Sequence, residues 1–561
     1  MIRNIDIANE TRRTAILIAA LAIVAVTGST AEPTTSNVTG VVKNASGQPV
    51  AGAFVKVASA DSGRLTYMVV SQDKGRYSSP SLPPGKYMVQ GFGGGYQSAS
   101  AAPVEVASGQ PGKMDLDLSV PQKTYPPPKK FTDEEYVKLM PEGEGKKILL
   151  TKCVICHSPG NYVARRATRD RWEASVDSMR LYLEENPERR AEYNARTGLN
   201  VVPLTDHERD VIVDYVSKNF GPDTPPIIEP PPADPNRHLP RTFLKGAETK
   251  YFAMELSLGD SIQAGNYVVD PQGIIWVCEK TTGILGRLDP KTLAYTRVVT
   301  PSGKPNKDIF GAVALDPKGN VWFTSLDGPH SQWIEYDPKT QKVINTYDVP
   351  IAPIPGGDIF YNTLRFPADG SVWATSTAKQ RMVKLDPNTR KVTEYPVRMG
   401  QHPFGLTVGG DGMVWFSGDE DNTIVRVDTA TGKFTAYPLP TPKSRPRRIV
   451  ADADGNLWAN TLSEGKLVKV DYRTGNITEY TPPTKGAGQG VDVDKKRNVI
   501  WYGEYENIRI GRFDPRTNTF AEYPLTSTNE QPWIIQLDPS NTNRVWWNSR
   551  NGKLGYIQLT D

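Results

Sequence analysis

Seven tryptophans recur through the C-terminal half of the chain, Trp276, Trp322, Trp373, Trp415, Trp458, Trp501 and Trp546, at intervals of 42 to 51 residues. Each follows a turn containing Gly or Asn. Most are followed by an apolar strand and then by an Asp-led turn, such as Tyr336-Asp337-Pro338-Lys339-Thr340 or Asp428-Thr429-Ala430-Thr431-Gly432. A further strand such as 435–440 ends most units, giving four strands per repeat. A unit this short cannot bury its own hydrophobic face, so neighbours must stack, and this period is that of a propeller blade. The seventh unit stops at Tyr556-Ile557-Gln558-Leu559, one strand short. Residues 250–256, ahead of the first unit, match the missing outer strand, and such a closure protects the sheet edge.

A second feature lies upstream, Cys153-Val154-Ile155-Cys156-His157. Cys-x-x-Cys-His is the attachment pattern for c-type haem, with two thioethers to the porphyrin and the imidazole on iron. A local disulfide, a redox dithiol and half of a zinc site are the other uses of such cysteines. The chain has only three cysteines, so no second ligand pair exists for zinc. The third, Cys278, sits in Trp276-Val277-Cys278 and reads as a small buried hydrophobe in a strand. The predicted cofactor is one covalent haem c on Cys153, Cys156 and His157.

Export fits that chemistry. Arg12 and Arg13, an apolar run from Ala15 to Val26 and Ser29-Thr30-Ala31 form a secretory signal over 1–31. The run is short for a membrane span and no second apolar stretch follows. The expectation is a periplasmic or secreted protein with no membrane span after cleavage; an uncleaved anchor is the alternative. A net charge of +4 over 561 residues gives no field for nucleic acid.

Residues 35–119 read as short strands cut by turns at Ser46-Gly47, Asp73-Lys74-Gly75 and Pro83-Pro84-Gly85. The stretches Gly47-Gln48-Pro49-Val50-Ala51-Gly52-Ala53, Asp73-Lys74-Gly75-Arg76-Tyr77 and Leu82-Pro83-Pro84-Gly85-Lys86-Tyr87 resemble the carboxypeptidase regulatory-like domain. That resemblance implies a small β-sandwich with a structural role. Residues 120–130 are a Pro-rich linker, and 222–244 are a second.

Between the linkers, residues 131–221 carry helical patterning. Thr132 precedes acids suited to a first turn, Thr168 leads a helix with Trp172, Val176, Met179 and Leu183 on one face, and Thr205 or Asp206 caps the last. The order helix, Cys-x-x-Cys-His, helix, closing helix resembles a single-haem cytochrome c domain. The resemblance implies that first and last helices cross at a glycine and an aromatic, here Gly145 and Tyr215. Electron-transferring members use a Met thioether as distal ligand, which raises the potential. Met140 and Met179 are the candidates of that type, His207 is the other alternative, and Met179 is the expected ligand. Arg165, Arg166, Arg169 and Arg171 form a basic cluster for propionates or an acidic redox partner.

In the propeller, His402-Pro403-Phe404-Gly405-Leu406-Thr407-Val408 and Asp411-Gly412-Met413-Val414-Trp415-Phe416 resemble the streptogramin (virginiamycin B) lyase repeat over 245–561. The resemblance implies a His opening an innermost strand, a Glu three residues past the blade Trp, and magnesium. None of the strand-opening positions is His; His402 lies two residues off register. Glu279 and Glu504 stand three past a Trp without a matching His, so ring-opening activity is not expected. What remains is a pocket of Glu279, Asn362, His402, Phe404, Arg447, Glu504 and Trp533, suited to a small ligand or to plugging the channel. Asp452-Ala453-Asp454-Gly455-Asn456 lacks the full EF-hand pattern and reads as a turn.

The expected architecture is therefore multidomain: an N-terminal β-sandwich, a small all-α cytochrome c domain and a C-terminal seven-bladed β-propeller. The expected function is extracytoplasmic electron transfer through the haem, with a redox partner protein and a propeller that docks a partner or small substrate. The alternative is a propeller lyase or ligand-binding module whose haem senses redox state or a gas. A haem-dependent oxidoreductase acting at the propeller would need a second cofactor, for which no motif is present.

Overall fold

In a computed structural model the β-rich pattern becomes a set of antiparallel sheets. The structure describes residues 36–561 apart from 127–128, 130, 154–158, 164, 186, 188–189, 192–193, 196–197, 199, 229–233, 260–261, 263, 280–283, 299–310, 326–330, 350–360, 378–379, 401, 528–530, 550–551 and 561. The leader 1–31, Cys156 and His157 lie outside the described residues. Among the described residues no helix is long and apolar enough to cross a membrane.

Six four-stranded sheets follow one another as blades one to six, over 264–298, 313–349, 361–396, 403–438, 446–480 and 488–524. Blade seven has three C-terminal strands, and Tyr251–Ser257 pairs with Lys553–Leu559 to complete it. The inner strand of each blade neighbours the next, and Ala264–Val269 meets Pro532–Asp538 to close the ring. The repeating tryptophans are all buried, and their size sets the spacing between blades. Five of their indole N–H groups donate to an Asp in the preceding turn: Trp276 to Asp270, Trp322 to Asp316, Trp415 to Asp411, Trp458 to Asp452 and Trp546 to Asp538. Asp452 also accepts the N–H groups of Asp454 and Asn456, so its segment is a turn held by its own carboxylate.

The N-terminal β region is not a detached bead. Val38–Asn44 is flanked by Arg76–Ser78 and by two short parallel strands in one sheet. In the other, Phe54–Ser59 lies between Leu65–Val70 and Gly85–Gly93. Leu65–Val70 then pairs antiparallel with Tyr251–Ser257, Phe252 opposite Val69 through Leu256 opposite Leu65. The second sheet and blade seven are thus one ten-stranded sheet. Alternation serves both faces. Leu65, Tyr67 and Val69 join the sandwich core, which runs on into Met254 and Leu256. Phe54, Met68 and Val70 face Tyr251, Trp501, Tyr523 and Trp547 of the propeller.

Residues 236–244, inside the second Pro-rich segment, pack along this seam. Lys56 donates to Asn236, Phe243 covers Gly93 and Gly94, and His238 Nε2 lies 2.7 Å from the Leu525 carbonyl. Burial, partly offset by the Leu525 contact and reinforced by nearby Lys56, lowers the His238 pKa from 6.5 to about 3. Below pH 6.5 the unfolded chain takes up a proton that the folded chain refuses, so stability falls as pH falls. The expected slope from this residue is at most about 1.4 kcal/mol per pH unit between 6.5 and about 3. Urea unfolding at several pH values should show it, and His238→Gln should flatten it; an unchanged slope in the variant would refute this assignment.

The helical segment is built on two capping boxes. Thr132 and Glu135 cap Asp133–Leu139, and Thr205 and Glu208 cap Asp206–Asn219, so Thr205 is the capping residue. Glu144–Lys152 crosses Asp206–Asn219 at Gly145, where an added Cβ would stand 2.3 Å from Tyr215 Cβ. Only glycine lets the two backbones approach so closely. Arg209 forks onto Asp177 at 2.7 and 2.8 Å and reaches Glu173, fastening Arg169–Glu185 to the last helix.

Candidate functional site

Cys153 ends the helix Glu144–Lys152, its N–H donating to the Leu149 carbonyl. Its neighbour Lys152 is held to Glu208 at 2.6 Å, which pins that helix end beside the start of the last helix. The Cys153 side chain is 5% exposed and belongs to an apolar cluster with Leu149, Val163, Trp172 and Val176. A flat apolar ring bonded through this thiol would meet apolar neighbours. Met179 is partly buried on Arg169–Glu185, whereas Met140 is in the Cys153 cluster and His207 is exposed. Of the basic cluster, Arg165 lies over Trp172 and Arg166 over Phe220, while Arg169 pairs with Asp214.

The propeller residues separate into groups. His402, Phe404 and Arg447 meet at the mouth between blades four and five. There Asp419, 0% exposed, is the centre. Arg445 forks onto it at 3.1 and 3.0 Å, Arg447 Nη2 stands at 3.3 Å and His402 Nδ1 at 3.0 Å. The Arg447 guanidinium lies 4.2 Å from the Phe404 ring centre, and His402 stacks on the same ring. Burial alone would raise the Asp419 pKa, but Arg447, His402 and Arg445 together hold it well below the usual carboxylate range. Burial dominates at Glu420 and, against the pull of Arg445 and Arg447, lifts it to about 7. His402 and Arg445 both have left-handed backbone, φ +59° and +60°, strain of the kind that accumulates at binding sites. The arrangement can hold a polar ligand at the partly exposed Arg445 and His402, with the Glu420 carboxyl able to exchange a proton near neutrality.

Asp419, Glu420 and Arg445 are absent from the residues chosen by sequence. A signal was present: Arg445 follows His402 by 43 residues, the interval between Trp415 and Trp458, so the two are repeat-equivalent.

Other candidates lie elsewhere. Glu279 is buried and takes both arms of Arg297 at 2.8 Å as well as the Tyr295 hydroxyl. Glu504 accepts from Asn507, and burial plus the nearby Glu522 raise it to about 8. Trp533 packs edge-on against Tyr505. Cys278 is buried with its thiol 3.7 Å from the Ala312 carbonyl, and burial pushes it up to about 12. Asn362 lies on the central channel, a cavity of about 300 Å³ that Arg365, Arg448 and Asp492 also line. Among the described residues no cluster of three His, Cys, Asp or Glu side chains forms a metal-binding group.

A family model for the virginiamycin B lyase family matches residues 260–557, and one for the carboxypeptidase regulatory-like domain matches residues 37–119. Among solved structures the chain is similar to a catalytically inactive virginiamycin B lyase from Staphylococcus aureus with quinupristin, at 22% identity and TM-score 0.48, over 55% of this chain and 100% of that one. It is similar to a streptogramin B lyase at 25% identity and TM-score 0.48, over 56% and 100%. Hydrazine synthase of Kuenenia stuttgartiensis is a more distant likeness, at 13% identity and TM-score 0.42, over 54% and 98%. No curated protein matches the chain.

Proposed function

Because this chain belongs to the virginiamycin B lyase family, we propose that its propeller is the docking module of an exported c-type cytochrome that transfers electrons to or from a redox partner protein. One haem c, bound through Cys153 and Cys156 with His157 on the iron, supplies the one-electron chemistry. The observation that carries this reading is the placement of Cys153 at the end of the helix that crosses the last helix at Gly145 and Tyr215. In this reading Met179 is the distal ligand. The mouth cluster around Asp419 orients a partner or small substrate through Arg445 and His402, which stay partly exposed. Streptogramin opening is not part of the proposal, since Glu279 is neutralised by Arg297.

The test is an optical spectrum, oxidised and reduced, of protein matured with haem in a bacterial periplasm, beside Met179→Ala. A low-spin spectrum whose weak red-edge band is lost in the variant is expected. A high-spin spectrum unchanged by the substitution would overturn Met179 as ligand and move the reading toward a ligand-binding haem. Absence of covalent haem would overturn the cytochrome altogether.

A further inference from the structure

The channel below the mouth holds more positive charge than its carboxylates balance. Each blade has an inner-strand residue paired with its tryptophan, and on blades three, six and seven these are Arg365, Asp492 and Gln536. On blade five the paired residue is Val450, so Arg448 stands two residues nearer the mouth. Arg448 reaches across the channel to two other blades. It donates to the Asn362 carbonyl at 3.0 Å, Thr363 Oγ1 at 2.8 Å and Asn266 Oδ1 at 2.8 Å. All of these acceptors are neutral, and its Nε is buried with no hydrogen-bond partner among the described residues. Among the described residues Arg365 donates to the carbonyl of its neighbour Leu364. Among the described residues neither guanidinium has a carboxylate within 4 Å. Asp492, the acid on this cavity, already accepts the N–H groups of Leu537 and Val493. Burial and the mutual repulsion of Arg365, Arg447 and Arg448 lower the Arg448 pKa to about 9.

Two guanidiniums share this cavity with one carboxylate, Asp492, whose charge acts on Arg365, so one positive charge is left without a counter-charge. Arg448 has both Nη groups committed to neutral acceptors and contributes charge, whereas among the described residues Arg365 commits Nη1 to Leu364, so its fork can meet a planar or tetrahedral oxyanion. We propose that the central channel of the propeller binds a small oxyanion, a carboxylate or phosphate group, between Arg365 and Arg448, with Gln536 as a neutral neighbour. The cavity of about 300 Å³ limits the ligand to a small one.

Inorganic phosphate and succinate, titrated separately into the full chain by calorimetry, test this and distinguish the two sources. The titration is run with and without haem, so its outcome is independent of the cytochrome reading. Saturable binding of at least one anion is expected, weakened at least about tenfold in both Arg365→Gln and Arg448→Gln. Arg544→Gln, on the outer part of blade seven, should bind as the parent does. Arg448→Gln risks loosening the ring because it removes the cross-channel bonds. Arg365→Gln removes one bond within its own strand, so it carries the test if the other variant fails to fold. No saturation by either anion, or unaltered affinity in a folded Arg365→Gln protein, would overturn the proposal.

Discussion

Asp419→Asn is expected to destabilise the propeller by about 3 kcal/mol, the low end for breaking a buried ion pair. The carboxylate is 0% exposed and takes charge-assisted contacts from Arg445, Arg447 and His402. Asparagine keeps the shape and removes the charge that neutralises them. Arg445 is 40% exposed, so water screens part of the loss, which is why the low end applies. Urea unfolding at neutral pH measures the effect, and a change below about 0.5 kcal/mol would show that the cluster carries no net stabilisation. The acid limb is a second check. Asp419 has its pKa held below the ordinary 3.8, so its contribution is complete above that pH and fades only as pH falls further. Parent and variant should therefore differ fully at pH 7 and converge in strong acid.

The second large effect concerns the edge of blade seven. A chain lacking residues 36–121 leaves the outer edge of Tyr251–Ser257 without the backbone partners it finds in Leu65–Val70. It also uncovers Tyr251, Ala253 and Tyr523, which pack with Phe54, Met68, Val70 and Phe92. An open hydrophobic edge strand pairs with other copies. The truncated chain is expected to be recovered as oligomers or insoluble material, measured by size-exclusion chromatography of the soluble fraction. A monomeric product melting at the temperature of the full chain would mean that the N-terminal region is a dispensable spacer.

The propeller was legible because its signal is both local and repeated. A tryptophan every 42 to 51 residues, a Gly- or Asn-containing turn before it and an Asp-led turn after the next strand specify one blade each. The closing strand at 250–256 was legible too, because its apolar alternation leaves it no other place in the repeat. The pairing of that same strand with Leu65–Val70 was not. Alternation says which faces of a strand are buried, but backbone edges are alike in every sequence, so partner choice is invisible.

The site shows the same division at the scale of one residue. The strand-opening position implied by the family resemblance selects Arg447 as the channel residue of blade five, yet Arg448 lines the cavity and Arg447 joins the mouth cluster. The register shifts between Pro446 and Ile449, as it does near the start of the inner strand in blades one, three, four, six and seven. Such a bulge inserts a residue and re-aims those before it, and no local pattern announces it here. The ion cluster was hidden for another reason. His402, Asp419 and Arg445 come from separate turns of two blades and meet only when the blades stack.

By itself, then, the sequence determined what depends on near neighbours: the blade repeat, its turns, the helix cap at Thr132, and the family of the propeller. Tertiary structure alone decided which edges join, which of two adjacent arginines enters the channel, and which charges confront one another. The physical reason is range. Turns, caps and periodicity are set by interactions within a few residues, whereas sheet edges and buried charges find partners in other turns, blades or domains of the chain.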